Sequence, residues 1–221
     1  MVRGARCEAG GRSVTWCALP PTSNLVPRTP YLTLLEVAFL PLSNAHALPP
    51  FTIRQATFDD ADKMASLSAR LFAQAYGETH PEPELSRYLA RSFSVEGIRE
   101  AIADDGVTML MVEDRERGAM AYAYIRESPD PPPGVHGKRA REIVRFYVDA
   151  ACQGRGIGAA LMEECFKEAK NRGADVVWLQ VWKEAPWAVR FYLRMEFSVV
   201  GSASFYFGDQ VGDDHVMTKS L

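Results

Sequence analysis

The sequence predicts an α/β domain built on one mixed sheet, and three observations predict it. Strand-like and helix-like segments follow one another in the order β-α-α-α-β-β-β-α-β-α-β-β from residue 51 onward. A glycine-rich turn, Gln153-Gly154-Arg155-Gly156-Ile157-Gly158, joins the apolar run 143–148 to the amphipathic segment 159–171. The chain then closes on two strand-like runs, 198–207 and 215–219, around the Gly- and Asp-rich stretch 208–214, which reads as an antiparallel pair.

Residues 52–55 read as a short strand. Residues 59–72 read as a helix, because Met64, Leu67, Leu71 and Phe72 fall at helical spacing, with Thr57 or Asp59 as its cap. Helices follow over 82–91 and 94–103, the second with Ser94 as N-cap. The runs 107–113 and 119–125 are strand-like, and 115–118 between them fits a hairpin turn. Pro131-Pro132-Pro133 makes 128–138 a loop, since proline lacks the donor that regular structure needs. Residues 142–148 form the next strand, and the helix after the glycine turn sets Ile157, Leu161, Met162, Cys165, Phe166 and Ala169 on one face. The nearly continuous apolar run 175–182 has the pattern of a buried central strand, and Pro186 suits the first turn of a helix over 186–194.

The whole chain sets outer bounds. Its 221 residues suffice for one well-cored domain with an appendage. A net charge of -3 and no long basic stretch argue against nucleic acid as a partner. No apolar run reaches the roughly 18 residues that a membrane span needs. Cys7, Cys17, Cys152 and Cys165 lack paired zinc-site spacing and read as reduced thiols, so the expected setting is cytoplasmic. His46, His80, His136 and His215 are scattered, and no metal is expected. Residues 1–50 carry seven prolines and no sustained periodicity, and read as a disordered extension to a domain spanning 51–221. Ala45-His46-Ala47 mimics a signal-cleavage site, but the apolar run before it holds Glu36 and begins late.

The glycine turn points to a phosphate-bearing cofactor. Glycines let the backbone approach phosphates closely, and a helix N-terminus adds partial positive charge. A P-loop fails because Ala159-Ala160 follows Gly158 where Lys-Ser/Thr is needed. Gly154-x-Gly156-x-x-Ala159 matches the dinucleotide pattern, but position argues against that fold: too little chain follows, and Asp175 precedes the strand whose end should carry the ribose-binding acid.

Gln153-x-x-Gly156-x-Gly158 after a strand resembles motif A of the GNAT superfamily of acetyl-CoA-dependent N-acyltransferases. Arg145-Phe146-Tyr147-Val148-Asp149 looks like that family's fourth strand. Leu179-Gln180-Val181-Trp182, then Ala188-Val189-Arg190-Phe191-Tyr192, looks like its fifth strand and following helix. The resemblance covers roughly residues 52–221. The tail, Ser204-Phe205-Tyr206-Phe207-Gly208-Asp209 with Met217-Thr218-Lys219-Ser220-Leu221, is similar to that of bacterial spermidine/spermine acetyltransferases, which also carry Glu at the Glu142 position.

This resemblance implies a central mixed, mostly antiparallel sheet flanked by helices, acetyl-CoA as co-substrate, and acetyl transfer to a primary amine by direct attack. A small amine or polyamine is the favoured acceptor; a peptide or protein N-terminus and a non-catalytic acetyl-CoA sensor are the alternatives. The protein is expected to act as a monomer or homodimer. Backbone N–H groups of Gln153, Gly154, Arg155, Gly156, Ile157 and Gly158 are implied to hold the pyrophosphate. The pantetheine would pair with backbone near Phe146, Tyr147 and Val148, with the acetyl carbonyl at the Val148 N–H. Ala185, Ala188 and Tyr192 would also face the cofactor. Tyr192 is implied as the acid that protonates the leaving thiolate, since a phenol of pKa about 10 stays protonated at neutral pH. Glu142 is the candidate base for the acceptor ammonium. Phe72, Tyr76, Trp182 and Tyr206 are candidate walls of the acceptor pocket, and Glu78, Glu82, Glu84, Asp209, Asp213 and Asp214 are acids available to a polyamine. Two positions depart from the family pattern: Ala185 stands where Asn is common, and Glu196 where Gly is usual.

Overall fold

The computed structural model describes residues 51–78, 82–207 and 210–221, so the N-terminal extension and its signal-like stretch lie outside the described residues. Seven strands form one sheet in the order β1-β2-β3-β4-β5-β7-β6. They are β1 (Thr52–Gln55), β2 (Val107–Asp114), β3 (Gly118–Ser128), β4 (Ala140–Val148), β5 (Val176–Trp182), β6 (Ser198–Phe207) and β7 (Gln210–Ser220). Every neighbouring pair is antiparallel except β4 and β5. The helices are α1 (Ala61–Tyr76), α2 (Glu84–Ser92), α3 (Val95–Ala103), α4 (Ile157–Asn171) and α5 (Pro186–Arg194). Element order follows the sequence reading throughout.

Alternation along the strands divides the core in two. Leu110, Val112, Ile143, Phe146, Val177, Leu179 and Val181 face α4 and α5. Met109, Met111, Tyr122 and Tyr147 face the opposite way, onto α1, α2 and α3. Among the described residues no helix is long and apolar enough to cross a membrane.

Several boundaries differ from expectation, each for a local reason. A short 3-10 turn, Phe58–Asp60, precedes α1, and Asp60 accepts from both the Thr57 N–H and hydroxyl at 2.8 and 2.9 Å. Helix α1 therefore starts later and runs on to Tyr76. Helix α2 starts at Glu84, directly after Pro83. Ser94 caps α3 as expected, accepting from the Gly97 N–H at 3.1 Å. Helix α4 begins at Ile157, inside the glycine turn. Strand β7 begins at Gln210, so Gly212, Asp213 and Asp214, which read as turn residues, lie in a strand paired with β5 and β6.

Candidate active site

Two features of β4 create a gap beside it. Pairing with β5 is limited to Ala140, Arg141 and Glu142 against Val176, Val177 and Trp178. Immediately beyond, the register with β3 slips: Ile125 faces Ile143 and Tyr124 faces Arg145, which leaves Val144 as an extra residue. A bulge bends its strand and increases the local twist. Here it lies where β4 parts from β5, so the strands splay from Glu142 onward.

The register shows which groups face the gap. The Asp149 N–H donates to Met120 C=O at 2.8 Å, and Ala121 lies opposite Val148. In an antiparallel ladder that makes Ala121–Val148 a non-hydrogen-bonded pair, Tyr122–Tyr147 a bonded pair and Ala123–Phe146 again non-bonded. Phe146 and Val148 therefore turn their N–H and C=O toward the β5 side. The backbone of Tyr147 is committed to β3, which corrects the expectation that it lines the cofactor edge. Its ring stacks on Tyr122 at 5.5 Å in the core.

Above the gap the chain makes the glycine turn. Gly154 and Gly156 have φ of 73° and 82°, a left-handed backbone that L side chains rarely adopt. A Cβ at either position would meet nothing within 4 Å, so the turn is an open cradle that a side chain would invade. A Cβ at Gly158 would lie 3.4 Å from the Phe191 ring and 3.7 Å from Val148, so this glycine sets how closely α4 packs against β4 and α5. The first helical bond runs from Ala160 N–H to Gly156 C=O at 3.0 Å. Ile157, Gly158 and Ala159 N–H groups thus lack an intrahelical acceptor, and the helix end carries partial positive charge. Arg155 is exposed at the mouth, while Ile157 is buried and pins the helix to the core.

Gln153, expected to offer its backbone N–H, donates that group to Ala150 C=O at 3.3 Å within the turn. Its side-chain amide donates to Val148 C=O at 3.2 Å, tying the turn to the end of β4. Asp149 accepts the Ala151 N–H at 3.1 Å and pairs with Arg70 of α1, which also donates to Ala119 C=O at 3.1 Å. Arg70 and Asp149 thereby fix the turn to the rest of the domain; neither stood out in the sequence.

Glu142 sits at the apex of the gap and is 1 % exposed. Its Oε2 accepts from Arg126 Nε at 2.8 Å, and its Oε1 has no protein partner. Burial pushes its acid up to about 7, against the opposing pull of Arg126. Arg126 was missed because its role comes from cross-strand register, opposite Glu142 on β3.

Tyr192 is fully buried on α5. It packs edge-on against Phe146, Phe191 and Phe197 at 6.4, 5.4 and 5.7 Å, next to the residue whose backbone lines the gap. Ala188 is buried one turn earlier, and Ala185 is the N-cap residue of α5 with no side chain to cap it. The Glu196 φ of 66° is the left-handed value expected of a glycine site, and its carboxylate pairs with Lys219 at 2.6 Å.

Of the expected pocket walls, Phe72 and Tyr76 are core residues on α1, in an aromatic cluster with Tyr88 and Phe93. Trp182 is half-buried at the end of β5, against the same cluster. The Tyr206 side chain and Asp209 lie outside the described residues.

Comparison with known proteins identifies the fold and the family. An uncharacterized N-acetyltransferase of Mycobacterium bovis is 27% identical over 162 residues, covering 73% of this chain and 98% of that protein. The PaiA N-acetyltransferase of Thermoplasma acidophilum, solved in complex with coenzyme A, superposes with a TM-score of 0.63 at 17% identity, over 78% of this chain and all of that one. Arabidopsis thaliana NAA60, solved with a bisubstrate analogue, gives 0.61 at 16% identity, over 77% of this chain and 98% of that one. At such identities the two structures show the fold. The model of the acetyltransferase (GNAT) family matches residues 69–197, more than half of the chain, from within α1 to just past the end of α5, and the chain belongs to that family of acyltransferases.

Proposed function

We propose that this protein transfers the acetyl group of acetyl-CoA to a primary amine by direct attack, with both substrates bound together. The observation that carries the reading is the gap between β4 and β5. It has a free backbone edge along one side, an open glycine cradle and helix N-terminus at its mouth, and a buried carboxylate at its apex.

The pyrophosphate would lie in the cradle of Gly154, Gly156 and the first N–H groups of α4, where oriented amides and partial positive charge favour anions. The pantetheine amides would pair with the gap-facing N–H and C=O of Phe146, as an added strand does, while the Val148 C=O is held by Gln153. The Val148 N–H is then available to the thioester oxygen as charge develops on it. An alkylammonium, with a pKa of about 10, must lose a proton before it can attack. Glu142, held near 7, is partly ionised at neutral pH and takes that proton directly or through one water. The amine nitrogen then bonds to the acetyl carbon and the carbon–sulfur bond breaks. The Tyr192 phenol donates its proton to the departing sulfur, and the second proton of the attacking nitrogen, shed as the amide forms, restores the phenol directly or through water. The missing Asn at Ala185 leaves the pantetheine one hydrogen bond short without altering the cradle.

The test is thiol release from acetyl-CoA with spermidine, spermine, diamines, amino acids and short peptides. Turnover with the aliphatic amines is expected. Turnover with peptides alone would move the acceptor class to chain N-termini. Acetyl-CoA binding with no turnover on any amine would overturn the enzymatic reading in favour of a sensor.

A further inference from the structure

The face of the sheet that turns toward α1 and α2 carries a second buried carboxylate. Asp214 is 0 % exposed, and neither of its oxygens has a hydrogen-bond partner among the described residues. It lies on β7 directly opposite Trp182 of β5 and Ala203 of β6. On the same face, Gln180 is one diagonal step away, roughly 7–8 Å between Cα atoms, and its Oε1 is also buried without a partner. One further step along β5 is Trp178, which lies opposite Glu142 and whose Nε1 is likewise unpartnered. Buried polar atoms without partners among the described residues thus form one row on this face, from Glu142 across β5 to Asp214. Phe205, two residues beyond Ala203 on β6, belongs to the same aromatic cluster that Trp182 packs against.

A buried ionised carboxylate without a partner costs several kcal/mol, so an isolated one is kept neutral or takes up a cation. Among the described residues no cation pairs with it. Lys183 is committed to Asp213 at 2.7 Å, and Arg126, three strands away, is committed to Glu142. Burial pushes the Asp214 acid up to about 7, with Asp213 adding to the shift and Lys183 opposing it. A carboxylate beside aromatic faces, with an amide oxygen near it, has the composition of an ammonium site.

We propose that Asp214, with Gln180 beside it, anchors a second ammonium group of the acceptor, so that the substrate is a diamine or longer polyamine whose reacting end lies at Glu142. This inference rests on the amine-acetyltransferase reading and narrows its substrate class. The two acids lie at levels four residues apart along β5, roughly 13 Å at strand rise. The spacing suits an extended acceptor better than a short diamine.

The experiment compares kcat/KM for 1,8-diaminooctane and 8-amino-1-octanol, which differ only in the distal ammonium. Wild-type protein is expected to favour the diamine by at least about ten-fold, a difference of roughly 1.4 kcal/mol. In Asp214→Asn the ratio should fall to within about two-fold of one. Ala203→Lys, which brings a chain ammonium opposite Asp214, should collapse the ratio in the same way and serves if the first variant fails to fold. A wild-type ratio near one, or a ratio preserved in both variants, overturns the anchor. If no amine is turned over, calorimetric binding of 1,8-diaminooctane decides. Binding to wild type that is lost in the variants keeps the anchor while the catalytic reading falls; equal or absent binding removes the anchor as well.

Discussion

Replacing Glu142 by glutamine separates its catalytic role from its cost to the fold. The carboxyl is pushed from 4.5 up to about 7, chiefly by burial. In the unfolded chain it titrates near 4.5, so between these values the native state binds the proton more tightly than the unfolded one. Stability from this group is therefore fully present below about pH 4.5, declines as pH rises, and is lost above about 7. The shift corresponds to a cost on the order of 3 kcal/mol at pH 8 for holding the ionised form. Glutamine has nearly the same shape and no charge to bury. Glu142→Gln should thus unfold much like wild type at pH 4.5 and exceed it by up to about 3 kcal/mol at pH 8. The gain is tempered by loss of the charged partner of Arg126. Urea denaturation across that range measures the difference. Turnover should move the other way: wild-type kcat rises through a pKa near 7, and the variant loses that limb along with most of its activity. A stability difference that does not change with pH would refute the burial argument. Unchanged turnover and pH profile would remove Glu142 as the base.

Three other changes probe the cofactor side. Tyr192→Phe should lower kcat by about 100-fold or more while leaving acetyl-CoA affinity nearly unchanged, read from steady-state rates and calorimetry; equal kcat would remove the phenol as the acid. Gly156→Glu places a carboxylate in the pyrophosphate cradle and a side chain at φ 82°, a backbone strain of about 1–2 kcal/mol. Acetyl-CoA binding should be abolished in a protein that still folds, and retained binding would mean that the cradle is misassigned. Ala185→Asn restores one hydrogen-bonding side chain at the start of α5 and should tighten acetyl-CoA by about five-fold, the equivalent of roughly 1 kcal/mol. Weaker binding would show that the buried Ala185 site has no room for the amide.

What could be read from the sequence was what is local. The glycine spacing, the apolar stripe of α4 and the Ser94 cap are each written within a few residues, and all reappear in the structure. The gap was not legible in any one segment, because it depends on where β4 stops pairing with β5 and on an extra residue, Val144, counted against β3. Arg126 and Gln180 gained their places through register with other strands. Asp214 was misread as a loop acid because Gly212-Asp213-Asp214 has turn chemistry, which pairing on both sides of β7 overrides. Phe72 and Tyr76 stood out as aromatics, and only the packed helices show that they are buried together with Tyr88 and Phe93.

The most direct test of the account is amide hydrogen exchange, resolved by residue, with and without acetyl-CoA. The gap-facing N–H groups of Phe146 and Val148 and those of residues 154–159 should slow markedly on binding. The Tyr147 N–H, already bonded to β3, should change least within that strand. That pattern would place the thioester arm along β4 with its phosphates in the glycine turn. Protection that spares Val148 and the turn, or that falls on Tyr147 instead, would contradict it.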